Sequence, residues 1–152
     1  LGNKNLLKQI LLINGANLNW LGKRDATHYG TLSLIDIEKL TAQAASKLGY
    51  QIISYQSNHE GSLIDALQLH SAMCAGIIIN PGAFSHYSYA LYDALLDTCL
   101  PVVEVHLSDI SSREPWRQKS VTAAASIKVI SGKQEHGYIE AVNILIEHIG
   151  NE

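Results

Sequence analysis

Short runs of branched apolar residues alternate with longer stretches of helical apolar period along most of this 152-residue chain. Leu11-Leu12-Ile13 comes first and is closed by Asn14-Gly15. Leu34, Ile37, Leu40, Ala44 and Leu48 then recur at helical spacing, with Gly49 placed to end the helix. Gln51 to Tyr55 predicts a second strand. Leu63, Ala66, Leu67 and Met73 predict a second helix, with His70 on the same stripe. Ile77-Ile78-Ile79 is apolar throughout, as expected of a strand covered on both faces. A third helix is expected from about Ser88 to Thr98, with Leu91, Ala94 and Leu95 inward. A strand follows over Pro101 to Val105, then a weaker one around Ser126 to Ile130. Ile139, Val142, Ile146 and Ile149 carry the last helix.

Strands that alternate with helices pair in parallel, and the crossover helices cover the sheet faces. The pattern therefore predicts a single α/β domain over residues 1–152, a three-layer sandwich around a five-stranded parallel sheet. Alternation alone does not fix strand order; 2-1-3-4-5 is assigned by analogy with flavodoxin-like folds. The hydrophobic content of 47% excludes a disordered chain, and the charged content of only 16% means either polar surface supplied by Ser, Thr, Asn and Gln or surface covered in an oligomer. A net charge of -3 argues against nonspecific nucleic-acid binding, which needs a basic face. No apolar run approaches the roughly 20 residues that cross a bilayer. The start, LGNKNLLKQILLINGAN, resembles a signal peptide briefly, but Asn14-Gly15 interrupts it and no small-residue cleavage site follows. It is read as the first strand of a cytoplasmic protein. Cys74 and Cys99 are read as buried thiols.

Polar residues concentrate after the strands, in 14–30, 57–61, 80–86 and 106–117. In a parallel sheet these segments share the carboxyl edge, where such folds place ligand sites. The first is unusually long and holds Arg24 and Tyr29, with Gly22 and Gly30 as candidate hinges. It is expected to form a lid over about residues 19–30. A guanidinium beside a phenol favours phenolate and makes Tyr29 a feasible base. The competing reading is a surface loop with one packed aromatic. Asn14 and Asn17 serve as turn formers or as amides facing a ligand, and the local pattern does not decide.

Asn80-Pro81-Gly82-Ala83-Phe84-Ser85-His86 allows a tight turn, and His86 is placed as a helix-start residue or as a hydrogen-bond donor to substrate. Glu104 and His106 form the sharpest pair: at i and i+2 on a strand they point to one side. The carboxylate then fixes the imidazole tautomer and leaves the other ring nitrogen for substrate. A satisfied structural pair is the alternative. Arg113 and Arg117 share a face if their stretch is helical, although Pro115 interrupts it. They suit a carboxylate or vicinal oxygens, as do Ser108 and the loop amides, or else form a solvent-facing cluster. No dinucleotide fingerprint, phosphate loop, metal-ligand spacing or nucleophile elbow is present. A flavodoxin-like binding or regulatory module without catalysis remains the second class of function.

INGANLNWLGKRDATHYGTL, QSNHEGSLIDAL, INPGAFSHYSYALYDAL, PVVEVHLSDISSREPWRQKS and HGY occur in this order over about residues 10 to 148. Together they resemble the successive motif blocks of the type II 3-dehydroquinate dehydratases. The resemblance implies a lyase of the shikimate pathway, in aromatic amino acid biosynthesis, that converts 3-dehydroquinate to 3-dehydroshikimate by anti elimination through an enolate. It implies no metal, no cofactor and no Schiff-base lysine. Tyr29 would be the general base, activated by Arg24. Asn17 would hold a water that stabilises the enolate. His106 would protonate the leaving hydroxyl, oriented by Glu104. Asn80, His86 and Arg117 would bind substrate hydroxyls, Leu107 and Ser108 amides the carboxylate, and Arg113 would support the charge around Tyr29. The family implies trimers grouped into a dodecamer, with Asp93 serving a neighbour's site.

Four positions depart from the usual family pattern. Ala16 replaces a common proline, which is expected to loosen the loop around Asn17. Asp109 replaces a frequent asparagine and is expected to add negative charge near the carboxylate-binding region. Trp116 stands for phenylalanine. Tyr92 stands for arginine before Asp93, against an intersubunit ionic network.

Overall fold

The computed structural model describes residues 7–152, so residues 1–6 of the expected domain span lie outside the described residues. The first strand, β1 (Lys8–Asn14), contains the run Ile10-Leu11-Leu12-Ile13. Next come a short helix α1 (Ala26–Tyr29), helix α2 (Leu34–Lys47), strand β2 (Tyr50–Gln56) and helix α3 (Glu60–His70). Strand β3 (Cys74–Asn80), helix α4 (Tyr89–Asp97) and strand β4 (Val102–His106) follow. A second short helix α5 (Pro115–Gln118), strand β5 (Lys128–Ser131) and helix α6 (His136–Gly150) complete the chain. The strands pair in parallel in the order β2-β1-β3-β4-β5, the order assigned by analogy.

Alternate residues of a strand face opposite sides, so the apolar runs feed two separate cores. Ile10, Leu12, Ile78, Val103 and Val105 pack with Ile37 of α2 and Leu145 of α6. Leu11, Ile13, Ile77, Ile79 and Val102 pack with Leu63 and Leu67 of α3 and with Leu91 and Leu95 of α4. Ser33 and Asp36 cap α2 reciprocally, and Ser88 caps α4.

Several inward assignments shift. Leu48 lies just past the end of α2 and is 46% exposed. The inner stripe of α2 is Ile37, Thr41 and Ala45. Thr41 is accommodated there because its hydroxyl donates to the Ile37 carbonyl at 2.7 Å. Met73 falls in a 3-10 turn after α3 and is 67% exposed. In α6 the core contacts come from Tyr138, Ala141, Val142 and Leu145, one residue out of phase with the isoleucines. Ile139, Ile146 and Ile149 flank that stripe, half-buried. Cys74 is buried, but Cys99 is exposed at the turn after α4. No helix among the described residues is long and apolar enough to cross a membrane.

Parallel pairing aligns the strand ends. Asn14 sits beside Gln56 on one side and Asn80 on the other, while Ile79 pairs with Glu104. The polar segments therefore emerge along one edge. There the loops after β1 and β3 meet closely. Gly15 N–H donates to the Asn80 carbonyl at 2.8 Å, and a Cβ on Gly15 would stand 2.1 Å from the Pro81 carbonyl oxygen. Gly82 takes φ +61 against the Ala16 backbone for the same reason.

Candidate active site

A cavity of about 100 Å³ opens at this edge. Ten expected residues line it: Asn17, Arg24, Tyr29, Asn80, His86, His106, Leu107, Ser108, Arg113 and Arg117. Glu104 lies behind His106. Asp93 does not line the cavity; it is exposed on α4.

Glu104 and His106 leave β4 on the same side, as their spacing requires. The His106 Nε2–Glu104 Oε2 distance is 2.9 Å, with Glu104 0% exposed. That bond occupies one ring nitrogen and leaves Nδ1 for a ligand. Glu104 is held from the other side by two hydroxyls that the sequence did not single out. Ser120 donates to Oε2 at 2.7 Å, and Thr122 donates to Oε1. Burial pushes the carboxyl pKa upward. The bond and charge of His106, with the Thr122 and Ser120 hydroxyls, outweigh that and hold it below the usual carboxylate value.

Asp25 caps α1 by accepting from the Thr27 N–H, and that single turn presents Tyr29 to the cavity. The two arginines around it divide their contacts in an unexpected way. Arg24 lies over the ring face, its Cζ 3.6 Å from the centroid. Arg113 is the one that reaches the oxygen, donating through Nη1 at 2.8 Å, and it also reaches Ser108 Oγ at 3.3 Å. Burial lowers the Arg24 pKa; Tyr29 opposes this, and Arg113 and Arg117 add to it. Arg113 and Arg117 do not share a helix. Arg113 is extended, and α5 begins only at Pro115, whose fixed φ suits the first helical position. Arg117 packs over Trp116 at 4.0 Å and donates to Glu114 Oε2 at 2.5 Å.

His86 sits in a 3-10 turn, Gly82–His86. Its Nδ1 lies 2.7 Å from the Lys119 carbonyl, an acceptor, so Nδ1 carries the proton and a neutral ring offers Nε2 as an acceptor. This reverses the donor role expected from sequence. Burial lowers the His86 pKa, opposed by the Lys119 bond. Asn17 is held in the left-handed region, φ 69, with its N–H donating to Asn58 Oδ1 at 2.9 Å. The backbone just after Ala16 is thus tied to the segment that follows β2. Asp109 is exposed and caps its own turn through Ser111, so its charge is absent from the cavity lining. His59 stands at the start of α3, away from the cavity. Among the described residues no three His, Cys, Asp or Glu side chains gather where a metal could sit.

These environments set a pH dependence for stability. His86 has a lowered folded pKa, so its contribution is present above its unfolded value and declines as pH falls below about 6.5. Glu104 is also lowered, and its contribution declines below about pH 4.3. The thermal midpoint is expected to fall in two stages on acidification, with His86→Gln removing the first. A midpoint that rises through either window contradicts the assignment.

The model of the dehydroquinase class II family matches residues 8–146. The chain is 46% identical over 144 residues to a 3-dehydroquinate dehydratase of Bacillus cytotoxicus, covering 95% of this chain and 99% of that protein. Among solved structures it is similar to the type II dehydroquinase of Propionibacterium acnes, with a TM-score of 0.88 and 34% identity, covering 92% of this chain and 97% of that one. It is equally similar to that of Butyrivibrio crossotus, with a TM-score of 0.88 and 39% identity, covering 91% of this chain and 97% of that one. With the match running from β1 into α6 and through every loop that lines the cavity, the chain belongs to the class II dehydroquinase family.

Proposed function

We infer that this chain is a hydro-lyase of the shikimate pathway that dehydrates 3-dehydroquinate to 3-dehydroshikimate. Its family membership and its 46% identity to a 3-dehydroquinate dehydratase support the reaction. The observation that carries the mechanism is the placement of Tyr29 and His106 on one cavity, each held by its own charged partner.

The ketone acidifies the adjacent C–H, so proton removal and C–O cleavage separate around an enolate. Tyr29 is the base. Arg113 at its oxygen and Arg24 on its ring stabilise the negative charge the oxygen must carry to act. Asn17, clamped by Asn58, holds a water against the developing enolate oxygen. His106 then passes a proton from Nδ1 to the departing hydroxyl, while Glu104 keeps the ring in register through Nε2. Base and acid act from opposite sides of the ring, which gives anti elimination. Asn80, the His86 acceptor nitrogen and Arg117 bind substrate hydroxyls; Leu107 and Ser108 amides bind the carboxylate. The segment over about 19–30 acts as a lid turning at Gly22 and Gly30, whose φ values are +90 and +73.

Incubating the purified protein with 3-dehydroquinate is expected to produce the ultraviolet absorbance of a conjugated enone. No absorbance gain from neutral to mildly alkaline pH contradicts the reaction.

The functional unit is a trimer, further grouped into a dodecamer, with Asp93 completing a neighbour's site. Support comes from its exposure on α4 and from exposed Leu69, Met73, Tyr87, Tyr89 and Leu96. A light-scattering mass of twelve subunits is expected; a monomer overturns the reading. Placement in the cytoplasm is supported by two free thiols, Cys74 and Cys99.

A further inference from the structure

Tyr138, the last residue of the HGY block, has no part in the mechanism above, yet it is 0% exposed beneath the cavity edge. Gly137 lets α6 close on the sheet there: a Cβ would stand 3.3 Å from both Ile130 Cγ2 and Val105 Cγ1. The Tyr138 hydroxyl lies between two buried amides. It is 2.7 Å from Asn14 Oδ1 and 3.0 Å from Asn80 Nδ2. Asn14 is 0% exposed, and Asn80, which lines the cavity, is 3% exposed.

The polarity of this chain follows from one group that can only donate. Gly82 N–H donates to Asn80 Oδ1 at 3.1 Å, so the amide nitrogen of Asn80 must face Tyr138. The phenol oxygen then accepts from Asn80, and its single proton goes to Asn14 Oδ1. Asn14 Nδ2 is left buried without a partner, a cost that the opposite polarity would shift onto other groups. Burial also raises the phenol pKa, so the hydroxyl keeps its proton and its direction. Asn80 is left with one N–H uncommitted among the described residues.

We propose that Tyr138 is a positioning residue: Gly82 N–H sets which way the Asn80 amide faces, and the buried Tyr138 hydroxyl holds its nitrogen in place so that the remaining N–H is aimed at a substrate oxygen. This rests on the reading of Asn80 as a substrate contact in the dehydratase. A site held in that polarity favours a substrate oxygen able to accept at this point and discriminates against an analogue lacking it.

A double-mutant cycle tests it, using Tyr138→Phe, Asn80→Ala and the pair, with steady-state turnover of 3-dehydroquinate and thermal midpoints measured on each. Tyr138→Phe is expected to lower kcat/KM by about tenfold, mainly through KM, the loss of roughly one directed hydrogen bond. In the Asn80→Ala background the same change is expected to leave kcat/KM unaltered, while the thermal midpoint still falls in both backgrounds. An equal loss of kcat/KM in both backgrounds overturns the proposal, as does an unchanged KM for Tyr138→Phe. If Tyr138→Phe does not fold, Asn14→Leu, which removes the acceptor that directs the phenol proton, enters the same cycle with the same two outcomes. Wild-type protein that does not turn over 3-dehydroquinate contradicts the dehydratase reading itself, a result distinct from additivity in the cycle.

Discussion

Tyr29→Phe is expected to lower kcat by about 10²–10⁴-fold, the range for removing a positioned general base. The change is selective. Phenylalanine keeps the ring against which Arg24 lies at 3.6 Å, and α1 keeps its Asp25 cap. What disappears is the oxygen that Arg113 meets at 2.8 Å, and with it the atom that takes the substrate proton. Because the loss falls on a transition-state interaction, kcat and kcat/KM are expected to drop together. Steady-state kinetics, with circular dichroism to confirm an intact fold, measures it. Turnover within about threefold of wild type would remove Tyr29 from the role of base, since even a modest general base contributes more than that.

Gly15→Ala is expected to have the largest effect on the fold. The added Cβ would stand 2.1 Å from the Pro81 carbonyl oxygen and 2.6 Å from its carbon. These are backbone atoms, so no side-chain rotation relieves the clash. The loop after β3 must move, and it joins Asn80 at the strand end to His86. A cost of about 3 kcal/mol or more is expected, at the upper end for overpacking. In a chain of this length that lowers the thermal midpoint by about 6–12 °C. Gly61→Ala makes the opposite control: nothing lies within 4 Å of its Cβ position in α3, and the helix gains about 0.5–1 kcal/mol. Calorimetry on the two variants decides. An unchanged midpoint for Gly15→Ala would mean that the loops do not meet as described.

The layers of the fold were legible because both of its periods were clean. The runs Ile10 to Ile13, Ile77 to Ile79 and Val102-Val103 mark β1, β3 and β4, and α4 places Leu91, Ala94 and Leu95 inward at the spacing they show in sequence. The phase of α6 was not legible. Four isoleucines and valines suggested one stripe, but the helix turns so that Tyr138 enters the core, and only its two asparagine partners make that burial affordable. The polarity of a tyrosine cannot be read from hydrophobic spacing.

The same division holds at the site. Glu104 and His106 were readable because the two-residue period of a strand guarantees a shared side. The Arg113–Tyr29 contact joins residues 84 apart and depends on how two loops fold over one edge, which no local pattern encodes. Ser120 and Thr122 look like an ordinary polar turn in sequence. They gain meaning only when the chain brings them onto a buried carboxylate. His86 was readable as a site residue, but its acceptor polarity came from the Lys119 carbonyl, 33 residues away.

The mechanism depends on a loop phenol and a strand-end imidazole reaching one small ring from opposite faces. A crystal structure with a planar cyclic mimic of the enolate measures this directly. Tyr29 Oη is expected against the carbon that loses its proton, and His106 Nδ1 within about 2.6–3.2 Å of the leaving oxygen on the other face. A bound ring that meets only one of the two, with the loop closed over it, would contradict the mechanism.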